Sequence, residues 1–346
     1  MQVSVVIATL DRPAILTDCL RGVLAELGPG DEIIVVAQGT GLQRQATIAA
    51  AAAASGATSD PPDTSGSPAG ENGRAGREMR AGVPLLVVVE EPEPNLPAAR
   101  NLGLRRASSP VVIFLDDDAV PLPGWTAALV GPFEAGADLV AGRLVEEPDL
   151  TTNAPRLTGA RLTCTGHTRR NYNTPASGSS GLAPGGNMAV RRVLALSAGG
   201  FDDSFGRGAA VYEDTEFAER IRRRGGRVVY AGAAAVEHRA VRSGGCWSVA
   251  EGERDIDRAR NMSALFQRHR SGSWPIMAGA YIGAAKWKVA RRRLRWRTLL
   301  AIVGALAEGR RIGRRRLSPL TPAPRLGREI SAPEAPGTGD ASSRAR

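Results

Sequence analysis

An unbroken apolar run in this chain ends in three adjacent carboxylates. Residues 111–115 are Val-Val-Ile-Phe-Leu, and Asp116, Asp117 and Asp118 follow directly. The length of the run and its β-branched and aromatic content predict a strand buried on both faces. Adjacent acids repel one another unless a cation neutralises them, and Mg²⁺ or Mn²⁺ prefers such hard oxygen ligands. The triplet alone is consistent with a metal-dependent site or with an acidic, solvated turn.

Two further acids and one histidine also lie where predicted elements begin or end. Glu213 and Asp214 begin a predicted helix, and His238 follows a predicted strand. A metal held by an aspartate and a histidine could offset negative charge on a leaving phosphate, while a separate aspartate deprotonates an attacking hydroxyl. The alternative for Glu213 and Asp214 is helix capping, and for His238 it is a structural role beside Glu237.

Predicted strands and helices alternate along the chain. Helices are predicted after Pro13 and over 97–107, 125–134 and 213–224, and the predicted strands are 3–8, 32–37, 85–89, 111–115, 138–141, 185–190 and 227–231. This alternation predicts an α/β fold with a mainly parallel sheet flanked by helices. Ligand sites of such sheets lie at the carboxyl ends of the strands, where the acids are expected.

Composition divides the chain into segments. Residues 46–82 are rich in Ala, Gly, Ser, Pro and Asp, which predicts a disordered insertion within a catalytic domain of residues 1–258. Residues 259–316 are predicted to form a basic helical extension, and residues 317–346 a disordered tail.

The positive charge belongs to one segment of the chain. The net charge is +10, yet segment 286–316 alone holds twelve Lys or Arg and one Glu. Three interpretations compete for this segment: helices packed on the catalytic domain, contact with an anionic membrane surface, or non-specific nucleic-acid binding. The first two are about equal, and nucleic acid is not expected because nothing else in the chain resembles a nucleic-acid module.

Cysteine usage and hydropathy indicate the compartment. The chain has three widely spaced cysteines, and its first residues predict a strand rather than a signal peptide. No apolar stretch approaches the roughly 20 residues that span a bilayer. A cytoplasmic location is predicted, and membrane contact would be peripheral, on the inner face.

The chain resembles the family 2 glycosyltransferases, which are inverting enzymes of the GT-A fold that use nucleotide-diphosphate sugars. The resemblance covers residues 3–262, interrupted by the insertion. A lone Asp-x-Asp is a weak signal, but this many pieces in the family's order is a strong one. The pieces are Val3-Ser4-Val5-Val6-Ile7-Ala8-Thr9 with Arg12-Pro13, Ala98-Ala99-Arg100-Asn101-Leu102-Gly103, Asp116-Asp117-Asp118 with Pro121, Gly185-Gly186-Asn187, Gly200-Phe201-Asp202, Glu213-Asp214 with Glu216 and Arg220, and His238.

The resemblance implies a role for each matching position. It implies a Rossmann-like nucleotide-binding half, an acceptor-binding half and a divalent metal, Mn²⁺ or Mg²⁺, held by Asp118 and His238. Asp214 would be the catalytic base, and Asp116 would lie near the ribose. The implied donor-binding residues are Thr9, Asp11, Gln38, Arg100, Asp116 and Asp117. The implied acceptor-binding residues are Gly186, Asn187 and Glu213.

Two departures from the family pattern affect the expected donor and product. After the second strand the family has an aspartate that contacts a pyrimidine base, whereas this chain has Gln38, which carries no charge. The Gln-x-x-Arg-Trp motif of processive synthases is similar to Arg292-Arg293-Leu294-Arg295-Trp296, but this chain has Arg in place of Gln. The difference favours non-processive transfer of a single sugar. The expected acceptor is a hydroxyl of a glycan, of a lipid-linked compound or of a small molecule.

Two rival functions follow from the same residues. Gln38 raises the alternative of a catalytically impaired binding or regulatory protein that retains the GT-A fold. A nucleotidyltransferase also combines an α/β sheet with paired acids and a metal, but it would need a Gly-rich loop after the first strand. Residues 9–13 contain no glycine, so this rival is the weaker one.

Overall fold

The fold was analysed in a computed structural model. It describes residues 1–39, 46, 49–51, 85–91, 94–149, 151–241, 250–291 and 293–323. The predicted insertion lies outside the described residues except for Ala46 and residues 49–51, and so do residues 324–346 of the predicted tail. For the residues outside the described ranges, both predictions of disorder stay predictions.

The described elements confirm the predicted alternation of strands and helices. The strands are β1 Val3–Leu10, β2 Glu32–Gln38, β3 Leu85–Glu91, β4 Val111–Asp116, β5 Ala119–Pro121, β6 Leu139–Val145, β7 Gly159–Leu162, β8 Thr168–Asn171, β9 Gly178–Ser179, β10 Asn187–Arg191 and β11 Val228–His238. The α-helices are α1 Pro13–Glu26, α2 Leu96–Arg106, α3 Trp125–Glu134, α4 Arg192–Ser197, α5 Glu213–Arg223, α6 Glu251–His269, α7 Trp274–Ala290 and α8 Trp296–Ile312.

The main sheet has a parallel half and a mixed half. Its strand order is β3-β2-β1-β4-β10-β6-β11-β5, with β9 paired to β11. β3, β2, β1 and β4 are parallel, whereas β10 runs antiparallel to both β4 and β6. The carboxyl ends of β1, β2 and β4 therefore share one edge with the amino end of β10. At this edge Gln38, Asp116 and Asn187 come from three different strands.

The apolar runs became central strands because they are buried on both faces. In β4 the five residues before Asp116 are all buried, and the described core continues into β1, β2 and β10. A strand with no solvent face has no polar alternation, which is why its sequence is a continuous run. Apolar packing thus fixes the point at which the acidic triplet leaves the sheet.

Helix α6 packs on the sheet domain. The predicted domain boundary between residues 258 and 259 falls inside this helix, which is continuous over Glu251–His269. Asn261 Nδ2 donates to the backbone oxygens of Phe205 and Val211, and the backbone N–H of Ala209 donates to Asp257. These contacts fasten loop 203–212, which precedes α5, onto α6.

Helix α8 packs closely along α6. Ser263 Oγ on α6 donates to the backbone oxygen of Leu306 at 2.6 Å. A Cβ atom at Gly309 would overlap the backbone oxygen of Arg260, so glycine allows the two helices to approach there. The basic segment is therefore helical, as predicted, and one side of it is packed against the domain.

The first part of the predicted disordered tail is ordered. The backbone N–H of Leu320 donates to the oxygen of Leu196, and that of Ala323 donates to the oxygen of Arg105. Leu320 also packs against the hydrophobic core. The prediction was wrong for residues 317–323 because these backbone bonds and this apolar contact attach them to α4 and α2, despite their tail-like composition.

A buried ion network joins α5 to α6. Glu216 on α5 is completely buried and accepts hydrogen bonds from Arg220, Arg268 and His269. Arg220 also donates to the backbone oxygens of Ala198 and Gly200. Burial alone would raise the pKa of Glu216, but Arg220, His269 and Arg268 outweigh burial and hold that pKa far below its ordinary value. The network therefore depends on an ionised Glu216.

We expect Glu216→Gln to lower the free energy of unfolding by about 3 kcal/mol near neutral pH, because two buried arginines lose their counter-charge. The depressed pKa means that the contribution is present above the ordinary glutamate pKa and is lost as the pH falls towards the folded-state value. Urea unfolding at about pH 7 and about pH 3.5 should show the difference between variant and wild type becoming smaller in acid. The exposed Glu237→Gln is the control, and a difference that is constant with pH would contradict this account.

Candidate active site

Asp118 and His238 face each other at the edge of the sheet, and Glu146 lies behind the histidine. His238 Nε2 is 3.3 Å from Asp118 Oδ1, and His238 Nδ1 is 2.5 Å from Glu146 Oε1. Burial alone would lower the pKa of His238, but its bonds to Asp118 and Glu146 raise that pKa to about 10. Burial likewise opposes ionisation of Asp118, but His238 and the backbone N–H of Val241 hold its pKa below its usual range. The surroundings therefore favour a positive charge beside Asp118.

Asp116 is held by a buried arginine. Arg100 Nη2 donates to Asp116 Oδ1 at 2.9 Å, and its Nη1 donates to Glu213 Oε1 at 2.8 Å. Arg100 is 3% exposed, whereas the Asp116 side chain is 33% exposed. Arg100 thus orients Asp116 and connects it to the start of α5. A direct contact of Arg100 with the donor stays a prediction.

Asp117 points to the other side of the triplet. Thr9 Oγ1 donates to Asp117 Oδ2 at 2.7 Å, and Arg12 Nη1 lies 3.1 Å from Asp117 Oδ1 and 3.8 Å from Asp118 Oδ2. Burial raises the pKa of Asp117 to about 6, although Arg12 and Thr9 act in the opposite direction. Asp117 and Thr9 therefore join β1 to the triplet and support Asp118 through Arg12.

Two adjacent glycines allow these groups to approach each other. A Cβ atom at Gly186 would lie 2.5 Å from Asp116 Oδ2, and one at Gly185 would lie 2.7 Å from Arg100 Nη2. The backbone N–H of Gly185 donates to Asp214 Oδ2 at 2.9 Å. The Gly-Gly pair is thus the contact between the acidic triplet and Asp214.

Asp214 is oriented by backbone and side-chain donors at the start of α5. Its Oδ1 accepts from the backbone N–H of Thr215 at 2.5 Å and from Thr215 Oγ1 at 3.2 Å. Neighbouring Glu213 is buried, and burial together with the charge of Asp214 raises the pKa of Glu213 to about 7 although Arg100 is paired with it. Asp214 is partly exposed, so it is the acid of this pair that solvent or a ligand can reach.

Two predicted acceptor-binding side chains lie in the interior. Asn187 is 0% exposed; its Nδ2 donates to the backbone oxygens of Arg143 and Ala234, and its Oδ1 accepts from Trp125 Nε1. The prediction that Asn187 contacts the acceptor disagrees with this position, because its amide is already satisfied within the core. Glu213 is likewise buried against Arg100, so its placement supports Asp116 rather than a contact with an acceptor.

Gln38 and Asp11 follow β2 and β1 at the same edge of the sheet. Gln38 is 4% exposed, and its Oε1 accepts from the backbone N–H of Asn95 at 2.6 Å. Asn95 in turn caps α2, since its Oδ1 accepts from the backbone N–H of Ala98. Asp11 is exposed, has a φ of 56° and lies beside Gly39. Gln38 thus has a structural role at the start of α2, and donor contacts by Gln38 and Asp11 stay predictions.

The described residues offer one group of side chains with the chemistry of a divalent-metal site. Single ligand atoms of Asp116, Asp118 and His238 lie within 4.8 Å of one another. The bond between Glu146 and His238 Nδ1 leaves Nε2 directed at Asp118, which is the usual arrangement behind a metal-binding histidine. Two carboxylates and one imidazole suit Mn²⁺ or Mg²⁺. The residues therefore fit the predicted ion, and Asp116 lies in the same candidate group as the predicted ligands Asp118 and His238.

Sequence reasoning missed two residues that support this group. Glu146 directly follows β6, and Arg12 follows β1 by two positions. An acid at the end of a central strand was a visible signal for Glu146. Nothing in the sequence identifies Arg12 as the partner of Asp117 and Asp118, because that pairing depends on two strands 105 residues apart.

Comparison with known proteins shows what the chain is similar to. Residues 77–195 match the family model described as glycosyl transferase family 2. The chain is similar in structure to GalNAc-T7 in complex with UDP, GalNAc and Mn²⁺, with 15% identity and a TM-score of 0.57 over 78% of this chain and 48% of that chain. It is also similar to residues 1–349 of TarS from S. aureus in complex with UDP-GlcNAc, with 13% identity and a TM-score of 0.58 over 89% of this chain and 80% of that chain.

The structural likeness shows the fold. The chain spans about half the length of GalNAc-T7. No curated protein matches the sequence. The fold is of the GT-A type, as predicted. Within that fold, residues 77–195 carry the match to the family 2 glycosyltransferase model.

Hydropathy of the helices bears on membrane topology. Within the part of the chain that the structure describes, none of the helices combines the length and the apolar character needed to span a bilayer.

Proposed function

We propose that the protein transfers a single sugar from a nucleotide-diphosphate sugar to an acceptor hydroxyl, with inversion at the anomeric carbon and with Mn²⁺ or Mg²⁺. The observation that carries this proposal is the cluster of Asp116, Asp118 and His238, joined to Asp214 through Gly185 and Gly186. A divalent ion bound there would neutralise charge on the leaving diphosphate.

The chain's own residues supply the remaining chemistry. Asp214 takes the proton of the acceptor hydroxyl as the hydroxyl oxygen attacks the anomeric carbon. The bond from that carbon to the diphosphate oxygen breaks, and its electron pair leaves with the nucleoside diphosphate. Attack from the face opposite the leaving group inverts the configuration. Gly185 and Thr215 hold the Asp214 carboxylate in place for this step.

Donor binding is proposed for the edge formed by β1, β2 and β4. Asp116 is exposed enough to meet a ribose or a metal ion, and Asp11 is exposed just after the carboxyl end of β1. Thr9, Gln38, Arg100 and Asp117 act behind them by fixing the backbone and the carboxylates. The similar structure of GalNAc-T7 is a complex with UDP, GalNAc and Mn²⁺, and that of TarS is a complex with UDP-GlcNAc, which supports a nucleotide-sugar donor here.

The acceptor and the cellular location are also part of the proposal. The acceptor is a hydroxyl of a glycan, of a lipid-linked compound or of a small molecule, and Arg in place of Gln at position 292 supports non-processive transfer. A cytoplasmic location with contact at the inner face of the membrane is supported by the charge of segment 286–316.

Thermal denaturation with a panel of UDP-, GDP-, dTDP- and CDP-sugars tests the donor site. A ligand that binds only the folded state raises the melting temperature. We expect at least one donor to raise the Tm in the presence of Mn²⁺ and to lose most of this effect when a chelator is added. No response to any of the nucleotide sugars would contradict the proposal and favour a protein that keeps the fold without the activity.

A further inference from the structure

Helix α7 exposes an apolar face. Its buried residues are Met277, Ala278 and Ala285, whereas Ile276 and Trp287 are each 54% exposed. Cβ atoms at Gly279 and Gly283 would meet nothing within 4 Å, so both glycines border open space. A helix that is apolar on all sides is normally buried on all sides. One apolar face of α7 is therefore exposed to solvent, although apolar helix faces are normally buried.

Helix α8 continues this apolar surface. Trp296, Leu300 and Val303 are spaced by four and three residues, which places them on one helix face. They are 65%, 68% and 44% exposed. The buried side chains of α8 include Leu299, Ile302 and Leu306, and α8 packs on α6, where Ser263 Oγ donates to the backbone oxygen of Leu306. The exposed stripe is thus a second apolar surface rather than the edge of the core.

A groove of about 550 Å³ lies between the two helices. Its walls include Ile282 from α7 and Val303 and Leu306 from α8, and its lining continues to Arg310, Arg311 and Arg314. Apolar walls next to a cluster of guanidinium groups suit a molecule that has an apolar chain and an anionic head group.

The charge around this surface selects its partner. Segment 286–316 contains twelve Lys or Arg and one Glu. Arg291 and Arg293 lie over the Trp287 ring, at 5.4 and 6.0 Å from its centroid. A second copy of the chain would bring like charges together, which opposes self-association through this face. An anionic bilayer complements both the arginines and the exposed aromatic and aliphatic side chains.

We propose that the exposed faces of α7 and α8 bind the surface of an anionic lipid bilayer, with Trp287, Trp296 and Leu300 entering the interface and Arg311 and Arg314 meeting lipid phosphates. Binding through this face does not depend on the catalytic activity.

α7 also contacts the active-site side of the domain, since Tyr281 Oη lies 3.4 Å from the Oη of Tyr212, the residue before Glu213. The proposed membrane face and the start of α5 are therefore linked through one helix.

Vesicle co-sedimentation of the full chain tests this proposal. The vesicles are equal parts phosphatidylglycerol and phosphatidylcholine in one arm and phosphatidylcholine alone in the other. We expect binding to the anionic vesicles that weakens with added salt, and much weaker binding to the neutral ones. Free glycerol phosphate as a competitor separates recognition of a bilayer from recognition of a phosphate group, and it should displace little protein.

Two double variants examine the two parts of the surface. Trp296→Ser with Leu300→Ser removes exposed apolar groups, and Arg311→Gln with Arg314→Gln removes two charges. Each should lower partitioning onto anionic vesicles by about tenfold. The matched controls are Val193→Ser, which removes a 75% exposed apolar side chain on α4, and Arg21→Gln with Arg222→Gln, which removes two exposed charges elsewhere.

The outcomes separate the proposal from its rivals. Both double variants should keep the melting temperature of wild type and the thermal shift that the donor produces. A loss of vesicle binding in these variants would then not be due to unfolding or to damage at the donor site. The proposal is overturned if wild type binds neither vesicle, if the controls lose as much binding as the test variants, or if glycerol phosphate displaces the protein completely. The oligomeric state is measured by light scattering. If wild type is a dimer and Trp296→Ser with Leu300→Ser disrupts that dimer, the face binds a second copy of the chain instead of a bilayer, and the proposal is overturned.

Discussion

Asp118→Asn should abolish transfer and weaken Mn²⁺-dependent donor binding by about a hundredfold or more. Removing a residue that only supports a metal ligand lowers metal affinity or activity by up to about a hundredfold, and removing a ligand itself should cost at least as much. The reason is local: Asp118 contributes a carboxylate to the group with Asp116 and His238. Asparagine keeps the size of the side chain and an oxygen that can accept from the backbone N–H of Val241, so the fold should persist. Titration of the donor with and without Mn²⁺ measures the effect.

The matched control for Asp118→Asn is Glu237→Gln. Glu237 precedes His238 in the chain, but its side chain is 60% exposed and 3.8 Å from Arg239. This variant should bind donor as wild type does. Donor affinity that is unchanged in Asp118→Asn, or that falls equally in the absence of metal, would contradict the assignment of Asp118 to the ion.

Asp214→Asn should lower kcat by about a thousandfold, within the range that general base catalysis contributes. Donor binding and its dependence on Mn²⁺ should stay within about twofold of wild type, since asparagine keeps the size of the side chain and its single carboxamide oxygen can still accept from one of the two backbone N–H groups, that of Gly185 or that of Thr215. Initial rates at saturating donor, together with the thermal shift from the same donor, separate the two effects. Asp18→Asn on α1, a 40% exposed aspartate, is the control and should be fully active. Full turnover by Asp214→Asn would refute the role of this residue as the base.

Much of the fold could be predicted because its determinants are local. The run at 111–115 has the pattern of a doubly buried strand, and it forms β4. The alternation of strands and helices likewise indicated the α/β architecture. The helix at the Glu213-Asp214 pair was predicted within one residue of its observed end, Arg223.

The missed features depend on contacts between distant parts of the chain. Leu320 is ordered by the carbonyl of Leu196, and α6 is attached to the segment before α5 through hydrogen bonds of Asn261 and Asp257. No local pattern in a polar or Pro-rich segment shows which surface will accept its backbone hydrogen bonds.

The sequence predicted which residues lie near the site better than it predicted which of them can contact a ligand. The acidic triplet, Asp214 and His238 were identified from residues and from the family resemblance, and the structure brings Asp116, Asp118 and His238 together. The acceptor role of Asn187 was implied by the family resemblance alone, whereas in the structure its amide donates to backbone carbonyls inside the sheet. Burial decided which polar groups face a ligand, and burial follows from the whole sheet.

Turnover of the donor followed by proton NMR is the most direct test of the central claim, that this site catalyses metal-dependent inverting transfer. The donor is the nucleotide sugar that gives the largest thermal shift, and water serves as the acceptor, so that no natural acceptor has to be known. We predict that the first sugar released has the anomeric configuration opposite to that of the donor, and that its release requires Mn²⁺ and is lost in Asp214→Asn. Release with retained configuration, release that is unaffected by a chelator, or donor binding without any turnover would contradict the account.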